Sequence, residues 1–355
     1  MKRLRESQRP DDRDDPRSKA AGARAIDVHQ HLWPEALIAV LRARRRPPRL
    51  RGWTLELEGE PDYEIDPAWH DVPSRTAQAL EDGLDLALVS LSSPLGIESL
   101  APDEAGELLA AYHDGVLGLP APFGGWAAAG LVEIDPPALA RGLAAGLVGL
   151  QLPATALLDG AGYERMGPLL EVLERTGKPL LIHPGPSDRG GLVARGPSDR
   201  GGAVARAPRD RGGPVSLGTP AWWPAVVSYV QQMHAAWFAF RAHGRPRHPG
   251  LRVCFALLAG LAPLHGERFA ARAGERNPVD EGVFLDVSSY GTRAVDATIR
   301  ALGIDGLVNG SDRPYSEPVS LELGGAALRA LRSANPMRLL YPREVIHEVA
   351  VAAGA

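Results

Sequence analysis

Two histidines one residue apart, His29 and His31, end a short apolar run, AIDVHQH, at residues 25–31. In an extended chain residues i and i+2 face the same way, so both imidazoles reach one point. A third histidine, His183, ends a second apolar run, KPLLIHP, and Asp312 ends a third, GLVNGSDRP. Imidazole nitrogens bind Zn²⁺ at about 2.0–2.1 Å. Three imidazoles and one carboxylate make a ligand set for one such ion, which lowers the pKa of a bound water toward about 7. The bland alternative is that these histidines hydrogen-bond within the fold. Burying several imidazoles without a partner ion or acid is costly, which favours the metal.

Positioning four such residues from distant parts of a chain requires a framework of strand ends. Eight β-type runs can be counted: 25–31, 84–92, 126–134, 146–153, 178–184, 251–257, 283–289 and 306–312. Most are apolar on both faces, as strands covered on both sides are. Helix-like stretches lie between them, among them 164–177, 223–243 and 292–302. In the first, Met166, Leu169, Leu170 and Leu173 recur at helical spacing and Gly177 supplies a stop. This alternation predicts an α/β fold of one domain, a (β/α)8 TIM barrel over residues 25–355. The C-terminal strand ends form the active face of that fold, and His29, His31, His183 and Asp312 all fall at such ends.

Two excursions interrupt the pattern. Residues 42–75 carry an Arg/Pro run followed by Trp53 and Glu60. They read either as a solvated surface segment or as a lid whose arginines meet a carboxylate. The second is a long loop insertion after strand five, built on an 11-residue repeat: GPSDRGGLVAR, GPSDRGGAVAR and APRDRGGPVSL, residues 185–217. Gly-rich units with so little apolar content cannot build a solenoid, so a flexible and inert loop is expected. Residues 1–24 mix basic and acidic side chains with Pro and Gly, which predicts a disordered tail.

The chain has 355 residues, a net charge of −4 and a 45% apolar fraction, ordinary for a globular protein. That charge gives no case for nucleic acid as a partner. No run approaches the ~18–20 apolar residues of a membrane span, so no membrane partner is expected. The single cysteine, Cys254, excludes a disulfide framework and a cysteine-rich zinc module. A cytoplasmic enzyme with a small-molecule substrate is the expectation, with a homodimer as the assembly considered.

The pieces AIDVHQHLWP, LLIHPGP and VNGSDRP, supported by VGLQLPA and FLDVSSYG, resemble the amidohydrolase superfamily. The resemblance is to the branch typified by aminocarboxymuconate-semialdehyde decarboxylase, which includes decarboxylases and lactonases. It covers most of residues 25–355. It implies that His29, His31, His183 and Asp312 are metal ligands and that Asp312 also moves a proton. Binuclear relatives bridge two metals with a carboxylated lysine at the end of strand four. Here that end reads GLQLPA, and Lys178 precedes strand five, which implies one ion.

One departure stands out. The family carries a histidine at the end of strand six, commonly followed by glycines, a proline and an arginine, and that histidine activates or orients the water. In LRVCFALLAGLAPLHGERF, Gly260, Pro263 and Arg268 keep the expected offsets, but Leu257 holds the histidine position. Leucine takes no proton and donates no hydrogen bond. Three readings follow: His265 swings in; the reaction needs only a polarised substrate and Asp312, as in a decarboxylase or other lyase; or a non-catalytic metal- or ligand-binding relative has kept the fold. Leu257 itself, Trp222 after the repeat loop and Arg313 beside Asp312 are the candidate substrate contacts. The remaining histidines, His70, His113, His243, His248 and His347, are expected to be solvated, and His234 to be a packing residue.

Overall fold

A computed structural model describes residues 24–57, 62–187, 220, 222–274 and 279–341. The expected tail except Arg24, most of the repeat loop, and His347 lie outside the described residues.

Parallel strands alternate with helices along the chain. β1 (Ile26–Gln30) is followed by α1 (Glu35–Ala43) and a small antiparallel sheet of β2 (Arg49–Arg51), β3 (Thr54–Glu56) and β4 (Tyr63–Glu64). Then come α2 (Val72–Glu81), β5 (Leu86–Val89), α3 (Pro102–Leu117), β6 (Phe123–Gly125), α4 (Pro136–Ala145), β7 (Leu150–Pro153), α5 (Gly160–Thr176) and β8 (Leu180–His183). The second half runs α6 (Tyr229–Ala239), α7 (Arg245–Arg247), β9 (Val253–Phe255), α8 (Gly266–Ala273), β10 (Val283–Asp286), α9 (Thr292–Leu302), β11 (Leu307–Val308), α10 (Gly325–Arg329) and α11 (Asn335–Leu340). The parallel strands form two sheets, ordered β1-β5-β6 and β11-β10-β9-β8-β7. Between them, single bridges pair Gln30 with Arg313 and Ala127 with Leu150.

Alternation divides each strand between two cores. Leu88, Leu181, Cys254, Phe284 and Val308 join Ile26, Val28 and Trp126 in one cluster drawn from both sheets. Their neighbours Ala87, Val89, Leu180, Ile182, Val253, Phe255, Leu285 and Leu307 face the helices in the larger cluster. Two apolar faces explain the near-continuous hydrophobic runs of the sequence.

α5 shows how the sequence sets a helix. Asp159 caps it by accepting the Gly162 N–H at 2.8 Å, Leu169, Leu170 and Leu173 are buried, and Gly177 ends it at φ 63.

One strand lies elsewhere than predicted. The expected run 126–134 is not a strand; β6 occupies residues 123–125 instead. Close packing decides this. A Cβ on Gly125 would stand 1.9 Å from Val116 Cγ1, so the glycines bring the strand against α3. Trp126 then turns into the inner core and donates its indole N–H to the Val28 carbonyl at 2.9 Å. The 42–75 excursion is also more than a solvated segment. Leu50, Leu55 and Ile65 are buried in the helix-facing core, Arg49 and Arg51 pair with Glu56, and Arg42 lies over the Trp53 ring.

Glu98 is a buried carboxyl, 1% exposed, whose oxygen accepts from Ser93 Oγ. Burial raises its pKa to about 7, against the pull of the Ser93 hydrogen bond. The fold therefore favours protonated Glu98. Its stabilisation is complete below the unfolded value near 4.5 and is lost as pH rises through about 7. Glu98→Gln, which keeps an acceptor for Ser93, is expected to raise stability by about 3 kcal/mol at pH 8 and by little at pH 4.5. Urea unfolding at the two pH values measures this.

Candidate metal centre

The four residues at the predicted strand ends converge. His29, His31, His183 and Asp312 each place one ligand atom within 4.8 Å of the others. His29 lies in β1 and His31 directly follows it, His183 ends β8, and Asp312 lies four residues beyond β11. The three imidazoles stand nearly perpendicular to one another, with ring centroids 4.8–5.1 Å apart. His29 Nε2 lies 3.2 Å from His31 Nε2 and 3.7 Å from Asp312 Oδ1, and His31 Nε2 lies 3.1 Å from the same oxygen.

A bulge in β1 makes this possible. Asp27 pairs with Ala87 and Gln30 with Val89, so three steps on β1 match two on β5. In a regular strand His29 would face away from Val28, toward the helices. The extra residue resets the alternation, and His29 joins His183 and Asp286 on the inner face.

Each ring is oriented through its other nitrogen. His29 Nδ1 lies 2.8 Å from Asp286 Oδ2, His31 Nδ1 3.0 Å from the Ser90 carbonyl, and His183 Nδ1 2.8 Å from the Pro184 carbonyl. Facing these acceptors, each Nδ1 carries the proton and donates. Each Nε2 is thereby turned toward the common centre. Three imidazole nitrogens and a carboxylate oxygen packed at 3.1–3.7 Å call for positive charge among them, a bound cation or, without one, a proton on His29. The donor set therefore fits a divalent cation, on imidazole and carboxylate chemistry alone.

Without an ion, the positive charge of this cluster rests on His29. Burial pulls His29 down, but Asp286 and then Asp312 carry it up to about 9. Burial lowers His31 and His183, and the neighbouring imidazoles lower them further. Burial pushes Asp312 up, yet the His31 contact and the imidazole charges hold it below the ordinary carboxylate value.

Asp286 is the residue against this cluster that spacing did not single out. It is fully buried, accepts from His29, and takes the Leu257 N–H and the Ser288 N–H, each at 3.0 Å, on its other oxygen. The signal available was a carboxylate ending the strand run VFLD, where the ligands also end theirs. Tyr315, whose ring lies 5.2 Å from that of His31, also went unmarked.

Leu257 opens a run of five left-handed residues, Leu257 to Leu261, with φ of 47–59°. Such backbone costs a non-glycine residue roughly 1–2 kcal/mol. Gly260 suits it for a second reason, since a Cβ there would stand 2.3 Å from the Val230 carbonyl of α6. Leu258 and Ala259 offset their strain by complete burial. The Leu257 side chain is half-buried.

The other candidates have partners outside the four residues. Trp222 is 55% exposed, with its ring 5.8 Å from Trp223. Arg313 engages Asp82 and Glu317. His265 packs edge-on to His234 at 4.9 Å, and His234 is a packing residue as expected. Three histidines expected to be solvated are not: His70 and His248 are buried and His113 is half-buried. His70 stacks on Trp33 at 4.3 Å and accepts its backbone N–H, and burial lowers it to about 3. His113 accepts from the Ala128 N–H, and His248 pairs with Glu174. In each case a local partner replaces water, which residue type alone does not reveal.

No protein-family model and no curated protein sequence matches this chain. Solved structures do. The IDCase of Metarhizium anisopliae in its apo form is 16% identical, with a TM-score of 0.68 over 92% of this chain and 98% of that one. The 5-carboxyvanillate decarboxylase of Sphingomonas paucimobilis is 18% identical, with a TM-score of 0.64 over 90% and 99%. The 5-carboxyvanillate decarboxylase of Novosphingobium aromaticivorans, complexed with manganese and 4-hydroxy-3-methoxy-5-nitrobenzoic acid, is 16% identical, with a TM-score of 0.63 over 90% and 96%. The chain shares the fold of these structures.

Proposed function

We propose that this chain is a member of the amidohydrolase superfamily, a carboxy-lyase dependent on one divalent ion, acting on a small hydroxylated aromatic carboxylate. Three imidazole nitrogens and one carboxylate oxygen facing a common centre carry the reading. The solved structures of like fold include decarboxylases of such acids, one of them with manganese, so manganese stands beside zinc as the ion. Two sheets closing into one eight-stranded barrel belong to the same proposal, supported by the bridges at Gln30–Arg313 and Ala127–Leu150. So does a cytoplasmic setting, in keeping with one free, buried cysteine. Among the described residues, no helix is long and apolar enough to cross a membrane.

His29, His31, His183 and Asp312 would hold the ion, which when bound supplies charge that polarises substrate oxygens. Asp312, 18% exposed at its side chain, is the proton carrier. Held ionised by the imidazoles, it takes the proton of the substrate hydroxyl and delivers it to the ring carbon bearing the carboxylate. The carbon–carbon bond then breaks, its electron pair returns to the ring, and CO₂ leaves. In this reading Leu257 supplies an apolar wall to the substrate, and Trp222 and Arg313 are its further proposed contacts. Arg313, engaged by Asp82 and Glu317, holds the end of β11 in place.

Leu257 favours a lyase over a hydrolase, because decarboxylation needs no activated water. Metal-loaded protein should release CO₂ from one or more ortho-hydroxybenzoates, with the product followed by ultraviolet absorbance. Hydrolysis of lactones or amides without any CO₂ release would refute the lyase assignment.

A further inference from the structure

The bulge that aims His29 leaves its amide outside the regular ladder, and one carboxylate takes it up. Asp27 Oδ1 accepts the His29 N–H at 3.0 Å and the Ser311 N–H at 3.1 Å. Ser311 directly precedes Asp312, so this oxygen joins the backbones of ligands from two strands. Asp27 Oδ2 accepts from Gln30 Nε2 at 2.9 Å. The Gln30 oxygen in turn accepts from Arg75 Nη2 at 2.7 Å. Arg75 Nη1 donates to the His31 carbonyl at 3.0 Å and to the Trp69 carbonyl at 2.9 Å.

All three side chains are buried, at 2% for Asp27 and Gln30 and 4% for Arg75. A buried cation and a buried anion are each expensive unless paired. Here they meet through one primary amide, whose oxygen must face the guanidinium and whose N–H must face the carboxylate. The polarity of the whole chain is therefore fixed. It contacts the peptide units of His29, His31 and Ser311 from the helix side, opposite the imidazoles.

We propose that Arg75, Gln30 and Asp27 form a positioning relay that sets the spacing of the metal ligands on β1 and beyond β11. The proposal rests on the metal-centre reading. None of the three side chains is among the four proposed ligands, so they act through the backbone. Ligand distances are tolerated within about ±0.2 Å, and losing an outer partner of a ligand typically costs 10–100-fold in metal affinity.

Reversing the polarity of the relay tests it. Asp27→Asn keeps an acceptor for the two N–H groups but can set an NH₂ against the NH₂ of Gln30. Gln30→Glu sets a second carboxylate against Asp27. The double variant Asp27→Asn/Gln30→Glu faces donor to acceptor again and presents its new carboxylate to Arg75. Mn²⁺ and Zn²⁺ affinities are measured by competition with a chelating dye, with circular dichroism reporting folding. Each single variant should bind about 10–100-fold more weakly. The double variant should recover to within about threefold of the parent, a coupling of the size that contacting residues show.

A purely structural role would lower melting temperatures and leave the affinity of folded protein unchanged, which overturns the relay. So does a double variant that folds no better and binds no tighter than the single ones. If the single variants fail to fold, a double variant that folds and binds like the parent supports it. A parent that takes up no metal overturns the metal reading itself, an outcome distinct from unchanged variants of a metal-binding parent.

Discussion

His183→Ala is expected to abolish turnover and to weaken binding of the divalent ion by roughly 10²–10³-fold. The size follows from known sites. Binding of a structural zinc ion by four ligands is worth about 10–16 kcal/mol, or roughly 2.5–4 kcal/mol per ligand, and each 1.4 kcal/mol is tenfold. His183 is the variant of choice because it stands at the end of β8, far along the chain from the β1 bulge that carries His29 and His31. Its loss leaves their aim unchanged. The stability signature separates ligand loss from misfolding. In the parent the ion should raise the melting temperature, because it binds the folded state. In His183→Ala the metal-free protein should melt no lower than the metal-free parent, and added ion should give little further rise. Melting curves with and without Mn²⁺ provide the check. A variant that melts lower without metal yet still gains stability from it would speak against His183 as a ligand.

Leu257→His should raise hydrolysis of activated esters or lactones, since general-base help is typically worth about 10²–10⁴-fold. The position suits the change. Leu257 has φ of 53°, a region that histidine enters more readily than most residues, and its N–H is already fixed on Asp286. A polar ring in place of a half-buried leucine either takes a water as partner or costs about 1–3 kcal/mol of stability. Decarboxylation by the variant should persist, because that step uses Asp312 and no activated water. His265→Ala serves as the control and should be silent, as His265 packs against His234. Loss of native activity in His265→Ala, with no gain in Leu257→His, would mean that the base has moved along the chain.

The proposed ligand set was legible because metal chemistry restricts both residue type and place. Histidine and aspartate at the ends of apolar runs point to a shared ion wherever those runs are strands of one framework. The helix 164–177 was legible for a similar reason, its leucine spacing and Gly177 being local signals. What stayed hidden depends on packing between distant segments. The start of β6 is set by how closely Gly125 approaches Val116. The burial of His70 is set by Trp33, 37 residues away, and the role of Asp286 by His29, 257 residues away. The i, i+2 rule put His29 and His31 on one face but could not say which. The bulge that decides it appears in the pairing with β5, outside the HQH motif itself.

The most direct test of a single metal centre is the metal content of the purified protein. Protein prepared without chelators, loaded with Mn²⁺ or Zn²⁺ and freed of excess by gel filtration, should contain close to one divalent ion per chain by elemental analysis. His29→Ala or Asp312→Ala should hold far less under the same conditions. Two ions per chain would contradict a mononuclear centre, and none would contradict the centre altogether.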